Sequence, residues 1–389
     1  MALTADAVVV GGGVIGASTL FHLSALGARR VILCERRQPG AGASGKSGAF
    51  IQLHFCLNLP EVRLTLASLP YFQRWDELVG AGLCGFVPAG YLRLEPPERE
   101  AKLRAQVALL QPLGVETSAI APDEIARLAP YLRLDGVAAA AYEPTSGYAD
   151  PNATLAGFLA AARRRGGEVL TDTTVTAVRV AGGKTIGVDT TAGPIDAPIV
   201  VLAAGAWSPP LLRDLGLTVP IEGALTQWFG FAMPSLPPAM MTVGEGISGS
   251  YFRATTPGSR EVLIGLGGMG RQALGDPDTD NGTLPDALVA LAGERLAARL
   301  VGADAARSTG GKIGPVTLTP DDLPIIDRHP GVDGLFYFAG DCGSSFKTSP
   351  AIGRAFAEWA LLGASQGVDV TPFGLDRFAG RVCAPAGLC

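Results

Sequence analysis

Residues 7–16 have the sequence Ala-Val-Val-Val-Gly-Gly-Gly-Val-Ile-Gly, and this stretch decides the fold of the first segment of the chain. Its four leading apolar residues predict a short parallel strand that is buried on both faces. The glycines Gly11, Gly13 and Gly16 then have the G-x-G-x-x-G spacing of a turn that binds a dinucleotide. In such a turn the first glycine permits the tight bend, the second lets the backbone approach a pyrophosphate, and the third lets the helix pack on the strand.

The same pattern continues to the end of a second strand. Residues 14–26 repeat apolar side chains with a helical period, and residues 31–34 form another apolar run. Glu35 follows 19 positions after Gly16, close to the ~20 at which an acid binds the ribose of a dinucleotide. The start of the intervening helix would present unpaired N–H groups to phosphates. A nucleotide-binding strand–helix–strand unit is therefore predicted, rather than a glycine-rich turn without a ligand.

The composition indicates a folded protein with a large core. The chain has 389 residues, of which 48% are hydrophobic and 17% charged, and its formal net charge is -5. This acidic balance argues against a nucleic-acid partner. The mean hydropathy is +0.29, yet no apolar run reaches the ~20 residues that span a bilayer, so no membrane span is predicted. Residues 1–6 lack the cationic start of a signal peptide, which favours a cytoplasmic location.

The cysteines and histidines do not form a metal-binding pattern. There are six cysteines and three histidines, and no two cysteines have the C-x-x-C spacing of a structural zinc site. We therefore expect no metal, and free thiols in a reducing compartment. The cysteines are Cys34, Cys56, Cys84, Cys342, Cys383 and Cys389.

Strands and helices alternate at both ends of the chain, whereas the middle is rich in strands. The apolar run at residues 335–339 precedes a glycine and a helical pattern, as in the first segment, while residues 225–266 predict several strands. This order predicts an α/β fold in which a Rossmann-like nucleotide-binding domain is interrupted by a second, antiparallel-sheet domain. The predicted first domain comprises residues 1–85, 145–220 and 310–389, and the second comprises residues 86–144 and 221–309.

A second phosphate-binding motif competes with the first. Residues 40–47 match G-x-x-x-x-G-K-[ST], the P-loop of ATPases. A P-loop directly follows a strand and opens a helix. Here residues 36–39 separate the motif from its strand, and residues 47–50 are weak helix formers. A P-loop ATPase is therefore kept as an alternative function and not as the main prediction.

Residues 276–282 are similar to a calcium-binding loop but fail in detail. Asn281 stands at the sixth position, where the loop needs glycine, and Ala287 stands at the twelfth, where it needs glutamate. A solvated acidic loop is predicted instead.

Together these motifs make the chain resemble the D-amino-acid oxidase-type flavoproteins, a group that includes sarcosine oxidases, glycine oxidases and D-amino-acid dehydrogenases. The dinucleotide turn, Glu35 and residues 43–48 are similar to the amino end of that family. Further similar segments follow in the same order along nearly the whole chain, at residues 147–151, 201–208, 319–321, 324–327 and 340–347.

The resemblance implies bound FAD, a substrate domain beside the FAD-binding domain, and oxidation of the C–N bond of an amine or amino acid to an imine, with hydride transfer to flavin N5. Oxygen or another electron acceptor would reoxidise the flavin, and a monomer or a homodimer is possible. The resemblance also assigns FAD contacts to Gly11, Gly13, Val14, Ile15, Gly16, Glu35, Arg36, Ser44, Lys46, Ser47, Val175, Ala204, Gly205, Trp207, Gly340, Gly343, Ser344, Phe346, Lys347 and Thr348.

Some positions depart from the family pattern. Members attach FAD covalently through a cysteine two residues after the lysine of a G-K-x-C segment, or through a histidine in the early loop. This chain has Gly314 at the first of these positions and Gly45-Lys46 at the second, so the resemblance implies non-covalent FAD. Sarcosine oxidases bind the substrate carboxylate with an early arginine, and Gln52 at that position disfavours a sarcosine-like substrate.

The last similar segment predicts a helix that points at the flavin. Ser349 and Pro350 have the residue types of an N-cap and a first helical residue. Lys347 would then lie in the preceding loop, where a positive charge favours the reduced flavin.

Four side chains are assigned to catalysis and substrate binding: Lys347, His54, Tyr251 and Arg253. Tyr251 and Arg253 have the same parity on a predicted strand and so share a face. Arg253 is expected to bind a substrate carboxylate with two hydrogen bonds, and His54 is included because it titrates near neutral pH. A further alternative is a flavoprotein subunit of a larger dehydrogenase, without turnover of its own.

Overall fold

The computed structural model describes residues 3–54, 58–237, 239–278 and 282–379. Cys56, Cys383, Cys389 and residues 279–281 of the acidic segment lie outside these ranges. The α-helices are α1 (Val14–Ala25), α2 (Leu59–Gln73), α3 (Trp75–Leu78), α4 (Pro97–Leu110), α5 (Pro122–Leu128), α6 (Pro151–Arg163), α7 (Ser208–Arg213), α8 (Asp286–Arg299) and α9 (Ser345–Leu362). The β-strands are β1 (Leu3–Thr4), β2 (Ala7–Val10), β3 (Val31–Cys34), β4 (Phe50–Ile51), β5 (Tyr91–Glu95), β6 (Ser118–Ile120), β7 (Ala139–Glu143), β8 (Gly147–Tyr148), β9 (Gly167–Leu170), β10 (Val175–Ala181), β11 (Lys184–Thr190), β12 (Ile195–Asp196), β13 (Ile199–Leu202), β14 (Glu222–Ala232), β15 (Thr242–Glu245), β16 (Tyr251–Ala254), β17 (Glu261–Gly265), β18 (Gln272–Ala273), β19 (Arg307–Leu318), β20 (Ile325–Arg328) and β21 (Leu335–Ala339). Within the described ranges, no helix has both the length and the apolar character needed to cross a membrane.

The first sheet has six strands in the order β20-β21-β13-β2-β3-β9. Strand β2 pairs in parallel with β13 on one side and β3 on the other. Strands β21 and β9 continue the parallel arrangement, and β20 runs antiparallel at one edge. The predicted strand–helix–strand unit is confirmed as β2, α1 and β3.

The two faces of this sheet pack against different layers, because successive side chains of a strand point to opposite sides. Val9 and Leu33 face a core shared with α1, α6 and α9. Val8 and Ile32 face a second core, which includes residues of a four-stranded sheet with the order β1-β12-β11-β10. Burial on both faces explains why these strands are continuously apolar.

Helices α1 and α9 cross on the helical face of this sheet at a contact without room for a side chain. A Cβ atom on Gly353 of α9 would overlap Ser18 of α1, whose side chain is fully buried. Glycine at this position therefore sets how closely the two helices approach.

The second sheet is mostly antiparallel. Its strands follow the order β18-β14-β17-β16-β15-β5-β7-β6, and β19 pairs with β14. Only β15 and β5 pair in parallel among the strand pairs described. Apolar residues of α5 and α8 pack on one face of this sheet, and those of α4 pack on the other. The α/β fold with a second, antiparallel sheet is confirmed.

The long strand β19 bears on one predicted domain boundary. It pairs with β14 from residue 307 to residue 318, so the predicted boundary at residue 310 falls inside a strand of the second sheet. The division of the chain into two domains otherwise stays a prediction.

Candidate active site

A cavity of about 780 Å³ lies at the carboxyl ends of strands β2, β3 and β13 and is closed on its other side by β14, β15 and β16. Its volume is in the range of ligand pockets, about 300–1,000 Å³. Ligands of open α/β sheets bind at this end of the parallel strands. The cavity is therefore the candidate active site.

The glycine turn brings the start of α1 to the cavity wall. Gly11 has a φ of 105°, which favours glycine, and a Cβ atom there would lie 2.5 Å from the carbonyl oxygen of Ala203. The N–H of Val14 donates a hydrogen bond of 2.9 Å to the Oγ of Ser44. An oxygen acceptor thus already sits at the helix start, where a phosphate oxygen would be bound.

Glu35 follows β3 and lines the same end of the cavity. Its carboxylate accepts hydrogen bonds from the N–H groups of Gly12, at 2.6 Å, and Arg37, at 2.8 Å. These bonds hold the carboxylate beside the glycine turn. Because each carboxylate oxygen can accept more than one hydrogen bond, it can still bind the hydroxyl groups of a ribose.

Asp278 contacts Arg36 and Trp207, two residues of the cavity wall. Its Oδ1 lies 2.6 Å from a guanidinium nitrogen of Arg36 and accepts a 2.8 Å hydrogen bond from the indole N–H of Trp207. Burial raises the pKa of Asp278, but the hydrogen bonds from Trp207 and Arg36 outweigh this effect and lower it. The side chain of Asp278 is nevertheless 42% exposed, so the described part of the loop agrees with the predicted solvated loop.

The early glycine-rich segment is not a P-loop. Residues 40–47 form turns, with a single 3-10 turn at Ser44–Lys46 and an extended Ser47. A P-loop must open onto an α-helix, and the segment leads to the short strand β4 instead. The geometry does not support the ATPase alternative.

Helix α9 begins earlier than predicted. Ser344 is its N-cap and Ser345 its first residue, so the prediction that the helix begins at Ser349 and Pro350 is wrong. A proline cannot donate to the carbonyl group four residues before it, which here belongs to Phe346. The Ser349 hydroxyl donates to that carbonyl at 2.8 Å, which satisfies it and lets the helix continue.

Lys347 consequently lies in the first turn of α9 and not in a loop. It lines the cavity, but its side chain is only 4% exposed and its Nζ donates a 2.8 Å hydrogen bond to Oε1 of Glu61, which is 2% exposed. Burial raises the pKa of the neighbouring Glu143 carboxyl, and the charge of Lys347 opposes this rise. Lys347 is thus half of a buried ion pair.

Tyr251 and Arg253 share strand β16, but they reach different places. Tyr251 lines the cavity. The Arg253 guanidinium is buried and donates to the backbone carbonyls of Gly48, at 2.8 Å, Ala254, at 2.7 Å, and Thr255, at 2.9 Å. Among the described residues, the cavity wall does not include Arg253. The geometry gives its predicted contact with a substrate carboxylate no support.

His54 is likewise absent from the described cavity wall. Its ring is buried, with Nε2 3.0 Å from the hydroxyl of Thr117. Burial, helped by the positive charge of Arg93, lowers its pKa to about 4. A neutral histidine away from the cavity does not fit the predicted catalytic role.

Two of the wall residues that the sequence analysis missed are polar and bear on ligand binding. Arg271 lines the cavity, and no ion pair or hydrogen bond of its guanidinium is found in the described part of the chain. Burial raises the pKa of the Tyr251 hydroxyl and of the Asp322 and Asp341 carboxyls, and the positive charge of Arg271 opposes this rise in each case. Gln227 on β14 lines the cavity and is 4% exposed. Gly267, Gly268 and Gly270 precede Arg271 in the sequence and mark a turn at the edge of the second sheet. This cluster of glycines is the sequence feature that could have identified Arg271.

Most of the residues assigned to FAD by resemblance meet on this wall. They are Gly11, Gly13, Val14, Ile15, Glu35, Arg36, Ser44, Lys46, Ser47, Val175, Ala204, Gly205, Trp207, Gly343, Ser344, Phe346 and Lys347. The described wall does not include Gly16, Gly340 or Thr348. Gly16 packs against the backbone of Gly11, Gly340 packs against Thr319, and Thr348 donates to the carbonyl of Ser345.

Comparison with known proteins identifies the family to which this geometry belongs. A family model described as FAD dependent oxidoreductase (DAO) matches residues 6–359. The chain belongs to this family. It is therefore an FAD-dependent oxidoreductase, as the sequence predicted.

Relatives and solved structures agree with this assignment. The chain is 28% identical over 380 residues to "Sarcosine oxidase subunit beta" of Rhodobacter capsulatus, covering 96% of this chain and 88% of that protein. It is 27% identical to "Dimethylglycine dehydrogenase, mitochondrial" of Rattus norvegicus and spans 43% of that longer protein. L-proline dehydrogenase from P. horikoshii superposes with a TM-score of 0.85 at 26% identity, covering 97% of this chain and 98% of that one. Glycine oxidase from Geobacillus kaustophilus superposes with a TM-score of 0.84 at 26% identity, covering 97% and 100%.

The cavity of this family member fits FAD in three respects. The glycine turn and the start of α1 can bind a pyrophosphate, and Glu35 can bind a ribose. The rest of the cavity extends from these groups to the second sheet. Lys46 and Gly314 both line this further part, and a Cβ atom on Gly314 would lie 3.0 Å from Cδ of Lys46. The two positions at which the resemblance places covalent attachment are thus neighbours on the cavity wall, and neither carries an attaching side chain.

Proposed function

We propose that this oxidoreductase oxidises the C–N bond of an amine that carries a carboxylate, such as an amino acid. FAD supplies the hydride acceptor when bound. The observation that supports the proposal best is Arg271, a cation on the wall of the cavity without an ion pair among the described residues. Guanidinium groups bind carboxylates with two hydrogen bonds. The names of the relatives, which act on sarcosine, dimethylglycine, glycine and proline, are consistent with this class.

Different residues along the cavity would bind the cofactor and the substrate. The amino end of α1 and Ser44 would hold the pyrophosphate, and Glu35 would hold the ribose. Arg271 would hold the substrate carboxylate, and the Tyr251 ring would form part of the adjoining wall. These interactions would orient the substrate, and the second sheet would exclude water from the reacting atoms.

We further propose that FAD is bound without a covalent link, since glycine and lysine stand at the two attachment positions. Acid precipitation should release the yellow colour into the supernatant. Colour retained in the protein pellet would refute non-covalent binding. A cytoplasmic location is also proposed; it is supported by the free, buried thiols of Cys34, Cys84 and Cys342, and cell fractionation tests it.

The main test is anaerobic bleaching of the flavin in the purified chain. Amino acids and N-methylated amino acids are compared with the corresponding amines that lack the carboxylate. Only the carboxylated amines should reduce the flavin efficiently. Arg271→Lys should raise the concentration that gives half-maximal reduction by about tenfold or more, whereas Arg253→Lys, the matched control, should not alter the preference for carboxylated amines. Failure of all carboxylated amines to bleach the flavin would refute the proposal.

A further inference from the structure

Two large apolar side chains that line the cavity are also exposed to solvent, so they lie at its mouth. Ile247 is 39% exposed and Met269 is 55% exposed. Single exposed apolar residues are common on protein surfaces, whereas exposed apolar groups that adjoin one another mark a binding surface. A ligand in the cavity can reach both side chains, because they belong to its wall.

The two side chains lie on segments that touch each other. Ile247 belongs to the loop between β15 and β16, and Met269 belongs to the turn between β17 and β18. A Cβ atom on Gly267 in this turn would lie 2.6 Å from the carbonyl oxygen of Gly249 in the loop. The two apolar groups therefore form one edge of the mouth.

Both segments are held in place by buried polar groups. The N–H of Ser248 donates a 2.9 Å hydrogen bond to the carboxylate of Glu245, which also forms a buried ion pair with Arg299. The amide of Gln227 donates a hydrogen bond to the carbonyl oxygen of Gly270. These contacts fix the backbone that presents the two exposed side chains.

The wall inside this edge is apolar as well. Phe50 and Tyr251 line the cavity with their ring centroids 5.2 Å apart in an edge-to-face arrangement. Leu266 directly precedes the turn that carries Met269, lines the cavity and is 3% exposed. A Cβ atom on Gly265 would lie 2.1 Å from the Tyr251 ring, so glycine at this position leaves the space to the ring.

Arg271 lies at the end of the same turn. Its backbone N–H donates a 3.2 Å hydrogen bond to the carbonyl oxygen of Gly268, and its side chain lines the cavity. Its charge acts on the hydroxyl of Tyr251, and charges are largely screened beyond about 10 Å. The cation and the apolar surface therefore lie in the same part of the cavity.

We propose that the substrate carries a large apolar side chain, which packs against Tyr251, Met269 and Ile247 while Arg271 binds its carboxylate. This inference rests on the proposed function and narrows its substrate class to aliphatic and aromatic amino acids. Contact with the side chain removes apolar surface of both ligand and wall from water, which strengthens binding about threefold or more for each buried methylene group. Met269 and Ile247 are then specificity-determining residues.

The test uses carboxylates that bind without being oxidised. Propanoate, 4-methylpentanoate and 3-phenylpropanoate have the carbon frameworks of alanine, leucine and phenylalanine without the amino group, and none of them has a stereocentre. Binding to FAD-loaded enzyme is measured by calorimetry. The two larger ligands should bind the wild type at least about tenfold more tightly than propanoate.

Serine variants remove the exposed apolar groups with little effect on the core. Met269→Ser and Ile247→Ser should each lower the preference for the larger ligands about threefold, and the double variant should lower it to less than about threefold in total, with FAD content and propanoate affinity unchanged. Val301→Ser is the matched control, because Val301 is 52% exposed and is not on the described cavity wall. It should leave the preference intact, whereas Arg271→Lys should weaken all three ligands by the same factor.

Three outcomes would overturn the inference. They are equal binding of the three carboxylates by the wild type, an unchanged preference in the double variant, and a double variant that changes only the reoxidation of the reduced flavin by a hydrophobic quinone, which would assign the mouth to the electron acceptor. Bleaching of the flavin by alanine, leucine and phenylalanine at equal concentrations, tested with both enantiomers, would refute this inference and leave the proposed function standing. The expected preference among the carboxylates without bleaching by any amino acid would refute the proposed function instead.

Discussion

Replacing Lys347 by methionine should destabilise the fold, because it leaves the Glu61 carboxylate buried without its cation. The two charged atoms are 2.8 Å apart, which at an effective dielectric constant of about 20 corresponds to an attraction of about 6 kcal/mol. Desolvation of both groups offsets part of this. Deleting one partner of such a pair costs about 3–5 kcal/mol, whereas replacing both can be nearly neutral. Lys347→Met should therefore lower the free energy of unfolding by about 3–5 kcal/mol. The double variant, Lys347→Met with Glu61→Gln, should recover most of this loss of stability.

The assay is urea unfolding of FAD-loaded protein, followed by tryptophan fluorescence, for the wild type, both single variants and the double variant. A coupling energy of about 2 kcal/mol or more between the two substitutions is expected. Additive effects, or a Lys347→Met variant as stable as the wild type, would refute this account of the ion pair. The flavin midpoint potential, measured at matched FAD occupancy, should be lowest in Lys347→Met, since that variant alone leaves an uncompensated negative charge beside the cavity.

The other predictions concern three residues. Glu35→Ala should weaken FAD binding about 10- to 100-fold, the worth of a hydrogen bond to a charged group; equilibrium dialysis that shows unchanged affinity would exclude a ribose contact. Arg253→Lys should lower the unfolding midpoint, because an ammonium cannot reach the same carbonyls of Gly48, Ala254 and Thr255, and should leave carboxylate selectivity unchanged; the opposite pattern would restore Arg253 to the substrate site. Burial lowers the pKa of His54 to about 4 in the native state, against about 6.5 in the unfolded chain. Between these pH values the unfolded chain binds more protons than the native protein. The free energy of unfolding therefore falls as the pH falls from about 6.5 to 4. His54→Gln should reduce that slope in urea titrations across this range, and an unchanged slope would place the histidine in solvent.

The sequence predicted best where the chemistry is local. The turn at Gly11, the first helix and Glu35 follow one another within a single structural unit, so spacing alone placed them correctly. The start of α9 was missed because the serine–proline pair that normally begins a helix is used inside one, where the Ser349 hydroxyl bonds the carbonyl that Pro350 leaves without a donor.

The substrate side was harder to predict because it depends on distant segments. Strand parity placed Tyr251 and Arg253 on one face, but parity does not show that the carbonyl of Gly48, 205 residues away, takes up the guanidinium. The partner of Lys347 likewise comes from Glu61, 286 residues earlier. Such pairings follow from tertiary packing and cannot be predicted from the spacing of residues along the chain.

The crossing of α1 and α9 determines the length of the cavity in which the cofactor binds. Helix α1 begins at the phosphate-binding turn, and α9 begins at the part of the cavity wall that contains Lys347. The contact of Ser18 with Gly353 therefore fixes the separation of these two ends of the cavity. A bound FAD would have to span the distance between these two ends. A side chain at position 353 would move the helices apart and lengthen the cavity while the cofactor stays the same size. The tolerance of this crossing to substitution is therefore limited by the dimensions of the cofactor as well as by the packing of the core.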